Sequence, residues 1–333
     1  MRDAISLKRT SDMLITALGE QIVYALRDPA VIEIMMNPDG RLWIERLGAG
    51  RADTGSELSA HEVERVIRLV ATHIGRDATE NTPVVSAELP LGGERFEGVL
   101  PPVSQGPCFS IRKPASRVFS LGDYVEAGVM SPFIAEALRR GISEHANILV
   151  VGGTGSGKTT LANALLAEIA KTGERIVLLE DTRELQCAAE DTVALRTKPG
   201  SVSLSDLVRT TLRLRPDRII VGEVRGGEAL DMLKAWNTGH PGGIATLHAN
   251  SAEAGLMRLE QLIGERTHNI PHDLIAESID LVAFIRRDAG SRRIETLLEV
   301  RGFSADGYEL RPASAPLQQV ISERPNTPER IQP

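Results

Sequence analysis

The chain has 333 residues, which is long enough for two domains with separate cores. Hydrophobic residues make up 42% of the chain and charged residues 25%, which is ordinary for a soluble globular protein. The formal net charge is −7, and the basic residues are scattered along the chain, so the sequence does not indicate a dedicated nucleic-acid-binding face. No apolar stretch approaches the roughly 18 residues of a membrane span, and the N-terminus lacks the apolar core of a signal peptide, so we expect a cytoplasmic protein.

The first third of the chain mixes helical and strand patterns. Apolar residues at helical spacing predict an amphipathic helix over 13–27. Runs with strand character at 31–36 and 41–45 flank the turn sequence at 37–40, which predicts a hairpin. A second helix is predicted over 59–75, where Ser59 and Glu62 have the spacing of a capping box. Further strands are predicted at 84–89, 95–100 and 108–112.

The composition then divides the chain into four parts. Residues 1–113 have the pattern of a small α+β domain, and 114–145 that of a linker with a lead-in helix. Residues 146–312 alternate apolar strand runs with helical runs, which is typical of a parallel sheet flanked by helices. The tail at 313–333 is rich in Pro, Ser and Gln, and we expect it to be mobile. The strand runs of the second domain are 148–151, 176–179, 219–221 and 244–247.

Residues 152–159 form a complete G-x-x-x-x-G-K-[ST] phosphate-binding loop between an apolar run and a helix-forming run. Glycines let successive backbone N–H groups face phosphate oxygens, and the following helix adds partial positive charge there. Lys158 is placed for the β- and γ-phosphates and the Thr159 hydroxyl for Mg²⁺. The predicted nucleotide-binding residues are Gly153, Thr154, Gly155, Ser156, Gly157, Lys158, Thr159 and Thr160.

Carboxylates follow two of the predicted strands, at the edge where such sheets bind ligands. Glu180 and Asp181 come directly after 176–179. An anion there could coordinate a metal or activate an attacking water, although a solvated strand end or a helix cap explains the pair equally well. Glu223 stands where most P-loop enzymes place an Asp, so it is either a ligand of Mg²⁺, the group that activates water, or a surface residue.

Two histidines bracket the predicted strand at 244–247. His248, at the end of the strand, is suited to sensing a γ-phosphate or to reaching across a subunit contact. An isolated histidine is more often a satisfied structural residue. The small residues around His240 and His248 favour a functional interpretation, because they allow close approach of the backbone.

Taken together, these motifs resemble those of the secretion ATPase superfamily, the hexameric P-loop motors of type II and type IV secretion, pilus assembly and conjugation. The resemblance is strongest to the type IV secretion branch and its conjugal-transfer ATPases. Only two cysteines, Cys108 and Cys187, are present, so the cysteine knuckle common in the type II branch is missing, and both are expected to be free thiols. The Walker A loop, acidic box, Walker B strand and histidine box stand at 152–160, 175–184, 215–225 and 239–250.

The resemblance implies an α/β fold in which a C-terminal RecA-like P-loop ATPase domain follows the smaller α+β N-terminal domain. It also implies a homo-hexamer that binds ATP and Mg²⁺ between the two domains and hydrolyses ATP. The phosphate charge would be neutralised by Lys158, and Thr159 and Glu223 would hold Mg²⁺. The attacking water would be oriented or deprotonated by Glu180, and His248 would report the γ-phosphate. Whether Glu180 or Glu223 is the base stays open.

Two arginines of the first domain match positions that contact the phosphates in these motors. They are Arg95 and Arg112, both on predicted strands, where surface charge with a cross-strand partner is the alternative explanation. The implied work is conjugative transfer, type IV secretion or pilus assembly. The implied location is the cytoplasmic side of an inner membrane, with peripheral contact to the secretion machinery.

Two rival functions use the same loop. A helicase-like nucleic-acid motor is disfavoured by the negative net charge, the few aromatic residues and the lack of a basic stripe, so no specific nucleic-acid binding is expected. A small-molecule kinase or a GTPase switch is disfavoured because the chain has no Asn-Lys-x-Asp phrase for guanine and no evident acceptor-binding lid.

Overall fold

The computed structural model describes residues 2–115, 117–198, 200–288 and 291–313, with side chains from residue 11 onward. The chain forms two compact units, Met1–Arg117 and Val118–Pro333, and the boundary between them falls in the segment predicted as a linker. The tail predicted to be mobile lies, apart from Ala313, outside the described residues. No helix in the described ranges is long and apolar enough to cross a membrane.

The first unit packs two helices against an antiparallel sheet with the strand order β3-β2-β1-β6-β5-β4. Its core consists of one face of the sheet and the apolar faces of both helices, for example Ile34, Phe96, Ile67 and Ile22, which are all completely buried. The elements are α1 (Arg2–Arg27), β1 (Val31–Met36), β2 (Arg41–Arg46), β3 (Gly50–Glu57), α2 (Ala60–His73), β4 (Val84–Glu88), β5 (Arg95–Val99) and β6 (Cys108–Arg112).

Local signals positioned most of these elements correctly. The capping box at the start of α2 is present, because the Ser59 side chain accepts from the Glu62 N–H and the Glu62 side chain accepts from the Ser59 N–H. Strand β3 was not predicted, since Gly50–Glu57 is polar and mostly exposed and has no apolar alternation to reveal it. Helix α1 is longer than predicted and has a break at Gly19, where φ is +77°.

The second unit surrounds a larger sheet with helices. Its elements are α3 (Leu121–Glu126), α4 (Pro132–Ser143), β7 (Ile148–Gly152), α5 (Lys158–Ile169), β8 (Ile176–Glu180), β9 (Thr192–Arg196), α6 (Leu204–Thr211), β10 (Arg218–Val221), α7 (Glu228–Asn237), β11 (Ile244–His248), α8 (Ala252–Gly264), α9 (His272–Ser278), β12 (Leu281–Asp288), β13 (Ser291–Ser304) and β14 (Gly307–Pro312).

Within the described residues the second sheet has eight strands in the order β14-β13-β12-β7-β11-β10-β8-β9. The run from β12 to β9 is parallel, as the sequence predicted. The four strands that the sequence predicted all lie in this parallel run, whereas β13 and β14 at one edge, which the sequence did not predict, pair antiparallel. These two strands follow β12 through hairpins, which require antiparallel pairing because the connections are too short for a crossover.

Hydrophobic cores on both faces of this sheet bury β7, β8, β10 and β11 almost along their whole length, whereas β9 is only partly buried. One core lies between the sheet and the helices α6, α7 and α8, and includes Val177 of β8 and Trp236 of α7. The other lies between the sheet and the helices α4 and α5, and includes Ile148 of β7 and Leu165 of α5. Because parallel strands share one direction, β7, β8, β10 and β11 all end at the same edge. That edge carries the phosphate-binding loop, Glu180, Glu223 and His248.

Candidate functional site

The phosphate-binding loop joins the buried strand β7 to α5 and contains two positions where glycine is required. A β-carbon on Gly152 would lie 2.4 Å from the Ile285 carbonyl oxygen, so no side chain fits there. Gly157 caps α5 in the left-handed region, with φ of +103°, which favours glycine. The loop therefore leads into the first turn of a twelve-residue helix, whose N–H groups have no acceptor within the helix itself, and this arrangement binds anions.

Lys158 begins α5, and its side chain is only 7% exposed. Its Nζ donates to the Gly153 carbonyl oxygen at 3.0 Å and lies 3.2 Å from His248 Nδ1. Burial lowers the pKa of His248, and the positive charge of Lys158 lowers it further, whereas the Glu223 carboxylate opposes the shift. A neutral His248 ring can accept a hydrogen bond from the ammonium group.

Glu223 and Arg225 extend this contact away from the loop. His248 lies opposite Gly152 in the β7–β11 pairing, and its Nε2 is 2.7 Å from Glu223 Oε1. The other oxygen of Glu223 accepts from Arg225 Nε at 2.9 Å. Lys158, His248 and Glu223, which the sequence proposed separately, therefore form one continuous set of side chains at the carboxyl edge of the sheet.

Glu180 is also at this edge, but its surroundings differ. It is 4% exposed, and its Oε1 accepts the backbone N–H groups of Glu184 and Leu185 at 2.8 and 2.7 Å. Burial raises the pKa of Glu180 to about 7, against the effect of the two N–H donors. Glu180 therefore holds the segment after β8 in place, a role that its position in the sequence did not reveal.

The structure adds Glu184 to the residues that the sequence proposed individually. Thr159 Oγ1 donates to Glu184 Oε2 at 3.1 Å, so a carboxylate stands beside the predicted metal-binding hydroxyl. The almost fully buried Asn163 of α5 fixes this segment, since it donates to the Glu184 carbonyl and accepts from the Gln186 N–H. The signal available in the sequence was the position of Glu184 at the end of the acidic box.

The donor set fits Mg²⁺ held together with a nucleotide. Among the side chains that the structure describes, no three His, Cys, Asp or Glu residues converge on a common point. Mg²⁺ suits such a site, because it commonly takes one or two protein oxygens and completes its shell with phosphate and water. The oxygen donors at hand are Thr159 of the loop itself, Glu184 in contact with Thr159, and Glu223 in contact with His248.

Three further candidates lie elsewhere. His240 precedes β11, so it is at the amino end of that strand, away from the phosphate loop. Arg95 and Arg112 stand directly opposite each other in the β5–β6 pairing of the first unit. On its other side Arg112 stands opposite Glu33 of β1. The contact of Arg95 and Arg112 with a nucleotide stays a prediction.

Comparisons with known proteins agree with these motifs. The family described as Type II/IV secretion system protein matches residues 17–302. The conjugal transfer protein TrbB of Rhizobium radiobacter is 50% identical over 295 residues, which cover 88% of this chain and 91% of that protein. A homologue of the type IV secretion system protein PtlH from Bordetella bronchiseptica is 36% identical, covering 78% of this chain and 86% of that protein. The resemblance to secretion ATPases of the type IV branch is thus confirmed.

Solved structures give the same fold. The X-ray structure of the Legionella pneumophila ATPase DotB superposes with a TM-score of 0.60 and 20% sequence identity, covering 85% of this chain and 80% of that one. At this level of identity the likeness speaks for the fold alone.

Proposed function

Since this chain belongs to the type II/IV secretion system protein family, we propose that it is an ATP-hydrolysing motor of a conjugative or type IV secretion apparatus. The relatives named for conjugal transfer and for type IV secretion match most of the chain, which supports this branch of the family. The structural observation that carries the proposal is the contact of phosphate-loop Lys158 with His248 and of His248 with Glu223.

In the proposed reaction, the phosphate loop and Lys158 bind the triphosphate, and Glu223 accepts the proton of the attacking water. The placement of Glu223 supports this role, because one carboxylate oxygen faces His248 beside Lys158 and the other is held by Arg225. Glu180 is less suited to be the base, because it is only 4% exposed, whereas the side chain of Glu223 is 21% exposed and so more accessible to a water. The proposed task of Glu180 is to hold the acidic box against α5.

In the proposed Mg²⁺ site the Thr159 hydroxyl binds the metal, and Glu223 and Glu184 hold the metal through waters of its shell. When bound, Mg²⁺ neutralises phosphate charge and favours cleavage at the γ-phosphorus. His248 reports the γ-phosphate in this proposal. Its ring lies within hydrogen-bond distance of the Lys158 ammonium, for which a phosphate oxygen would compete.

We further propose that six copies form a ring, that Arg95 and Arg112 of the first unit contact the nucleotide phosphates, and that the motor docks on the cytoplasmic face of an inner membrane. The motif set and the family membership support these statements. Conformational work would come from opening and closing of the nucleotide site during each cycle.

The test compares wild type with Lys158→Ala and Glu223→Gln. Glu223→Gln should bind ATP with a Kd within about threefold of wild type and lose turnover by about 100-fold or more, as expected when a general base is removed. Lys158→Ala should lose binding itself, because the phosphate charge is no longer balanced. Glu253→Gln, an exposed carboxylate in the first turn of α8, is the matched control. Full turnover in Glu223→Gln would contradict the assignment of the base.

Particle mass is measured on the same samples with and without nucleotide. A ring of subunits is expected when ATP is bound. A strictly monomeric protein that hydrolyses ATP at the full rate would refute the ring motor while leaving the ATPase assignment intact.

A further inference from the structure

Residues 181–191, which join β8 to β9 and are called the acidic segment below, contain neither helix nor strand. A segment of this kind has no ladder of backbone hydrogen bonds to fix its side chains, so the groups that hold its backbone decide where its carboxylates stand. One of these carboxylates is Glu184, whose Oε2 accepts from Thr159 Oγ1 at 3.1 Å. No motif gives a role to Asn163, the residue of α5 that holds the acidic segment at Glu184.

The side-chain amide of Asn163 uses both of its ends on the acidic segment. Its Nδ2 donates to the Glu184 carbonyl oxygen at 3.2 Å, and its Oδ1 accepts from the Gln186 N–H at 2.9 Å. Turning the amide over would set donor against donor and acceptor against acceptor, so these two bonds fix its orientation. Asn163 is 1% exposed, and a buried amide that loses its partners is costly.

One face of α5 carries both the proposed metal-binding hydroxyl and this amide. Thr159 and Asn163 are four residues apart in the helix, so they lie on the same face in successive turns. Two further contacts hold the same stretch, because Leu185 is buried in the core that includes α5, and Glu180 accepts the N–H groups of Glu184 and Leu185. The helix that presents the Thr159 hydroxyl therefore also sets the position of the Glu184 carboxylate.

A second buried asparagine makes the same pair of bonds at a different place. Asn147, which is 4% exposed, donates from Nδ2 to the Ser278 carbonyl oxygen at 2.7 Å and accepts at Oδ1 from the Gly243 N–H at 2.8 Å. It directly precedes β7, so it lies at the amino end of that strand, whereas the phosphate loop follows the carboxyl end. Asn147 and Asn163 thus have matching burial and bonding, and they differ in what they hold.

We propose that Asn163 is a positioning residue for Mg²⁺, because it keeps the Glu184 carboxylate where that group accepts from a water of the metal shell. The inference rests on the proposed function, since it concerns the same metal site. Mg²⁺ requires nearly ideal octahedral geometry, so a displaced Glu184 should lower the affinity for the metal. Groups that orient the surroundings of a metal typically contribute about 10- to 100-fold to its affinity.

The experiment measures the Kd of the full-length chain for a fluorescent, non-hydrolysable ATP analogue in EDTA and over a series of Mg²⁺ concentrations. Asn163→Ala should raise the Mg²⁺ concentration that gives half of the metal-dependent gain in affinity by about tenfold. Its Kd in EDTA should stay within about threefold of wild type, because the phosphate loop is unchanged. The matched control Asn147→Ala should leave both quantities within about threefold of wild type, although it removes the same kinds of hydrogen bond.

Glu184→Gln tests whether Asn163 acts through Glu184. Alone, this substitution should raise the same Mg²⁺ concentration by about tenfold. In the double variant of Asn163→Ala and Glu184→Gln, the increase should stay near about tenfold and not approach about a hundredfold, because both changes remove one interaction. Asn163→Leu keeps the volume of the side chain and takes the place of Asn163→Ala if that variant does not fold.

A Mg²⁺ requirement in Asn163→Ala equal to that of wild type would overturn the proposal. An equal increase in Asn147→Ala would also overturn it, because a general loss of packing would then be responsible. Effects that multiply in the double variant would do the same, since Asn163 would then act on the metal by another route. If wild type binds the analogue without any dependence on Mg²⁺, the proposed metal site fails first; if wild type depends on Mg²⁺ and both asparagine variants match it, only this inference fails.

Discussion

Replacing Glu180 with glutamine should make the stability of the second unit less sensitive to pH. Glu180 is buried, and burial raises its pKa from 4.5 to about 7. In wild type, folding must therefore remove an ionised carboxylate from water at high pH, but not at low pH. The glutamine oxygen of Glu180→Gln can accept the same two backbone N–H groups without carrying a charge.

The size of the effect follows from the two pKa values. A folded-state pKa above the unfolded one contributes stability that is fully present below the unfolded pKa of 4.5 and is lost as pH rises through about 7. At about 1.36 kcal/mol per pH unit, the full loss is about 3 kcal/mol, of which about 2 to 3 kcal/mol falls between pH 5 and 8.5. The unfolding free energy of Glu180→Gln minus that of wild type should therefore increase by that amount from pH 5 to pH 8.5.

Urea unfolding followed by tryptophan fluorescence measures the difference. The chain has two tryptophans, and in a Trp43→Phe background the buried Trp236 reports on the second unit alone. Glu190→Gln, an exposed carboxylate that follows in the same segment, controls for the loss of one negative charge. If the stability difference between Glu180→Gln and wild type is the same at pH 5 and pH 8.5 within about 0.5 kcal/mol, burial of an ionisable Glu180 is refuted.

Three further outcomes are expected. Arg218→Met should destabilise the second unit by about 3–5 kcal/mol in urea unfolding, because the guanidinium of Arg218 is 1% exposed and lies 2.6 Å from Glu174. The control Arg209→Met replaces an exposed arginine and should cost less than about 1 kcal/mol. Equal losses in the two variants would contradict a stabilising buried ion pair. Ser59→Ala should cost the first unit about 1 kcal/mol by removing the α2 cap, and no change in its unfolding midpoint would refute the cap. His248→Gln should lower ATP turnover about tenfold or more and change the Kd for ATP by less than about threefold. Unchanged turnover would contradict the proposed role of His248 in sensing the γ-phosphate.

Local patterns were enough for most of the strands and for the phosphate loop. Apolar runs such as 148–151 identify buried strands, and the residues that follow a parallel strand are at the ligand-binding edge wherever the strand sits in the sheet. For this reason the sequence alone identifies Glu223 and His248 as site candidates, although their contact is a property of the fold. Strand β3 is not predictable from the sequence, because Gly50–Glu57 has no apolar face. A strand that is held mainly by pairing with its neighbour leaves no hydrophobic pattern in the sequence.

The sequence by itself thus determined that this chain has a phosphate-binding loop, carboxylates and a histidine at strand ends, and the motif set of a secretion ATPase. Only the tertiary structure decided which carboxylate braces the acidic box, that Glu184 stands beside Thr159, and that Asn163 holds the backbone at Glu184. The physical reason is that these contacts depend on strand register and side-chain direction between segments far apart in the chain. A motif describes one segment, whereas the pairing of Ile285 with Gly152 is a property of the folded sheet.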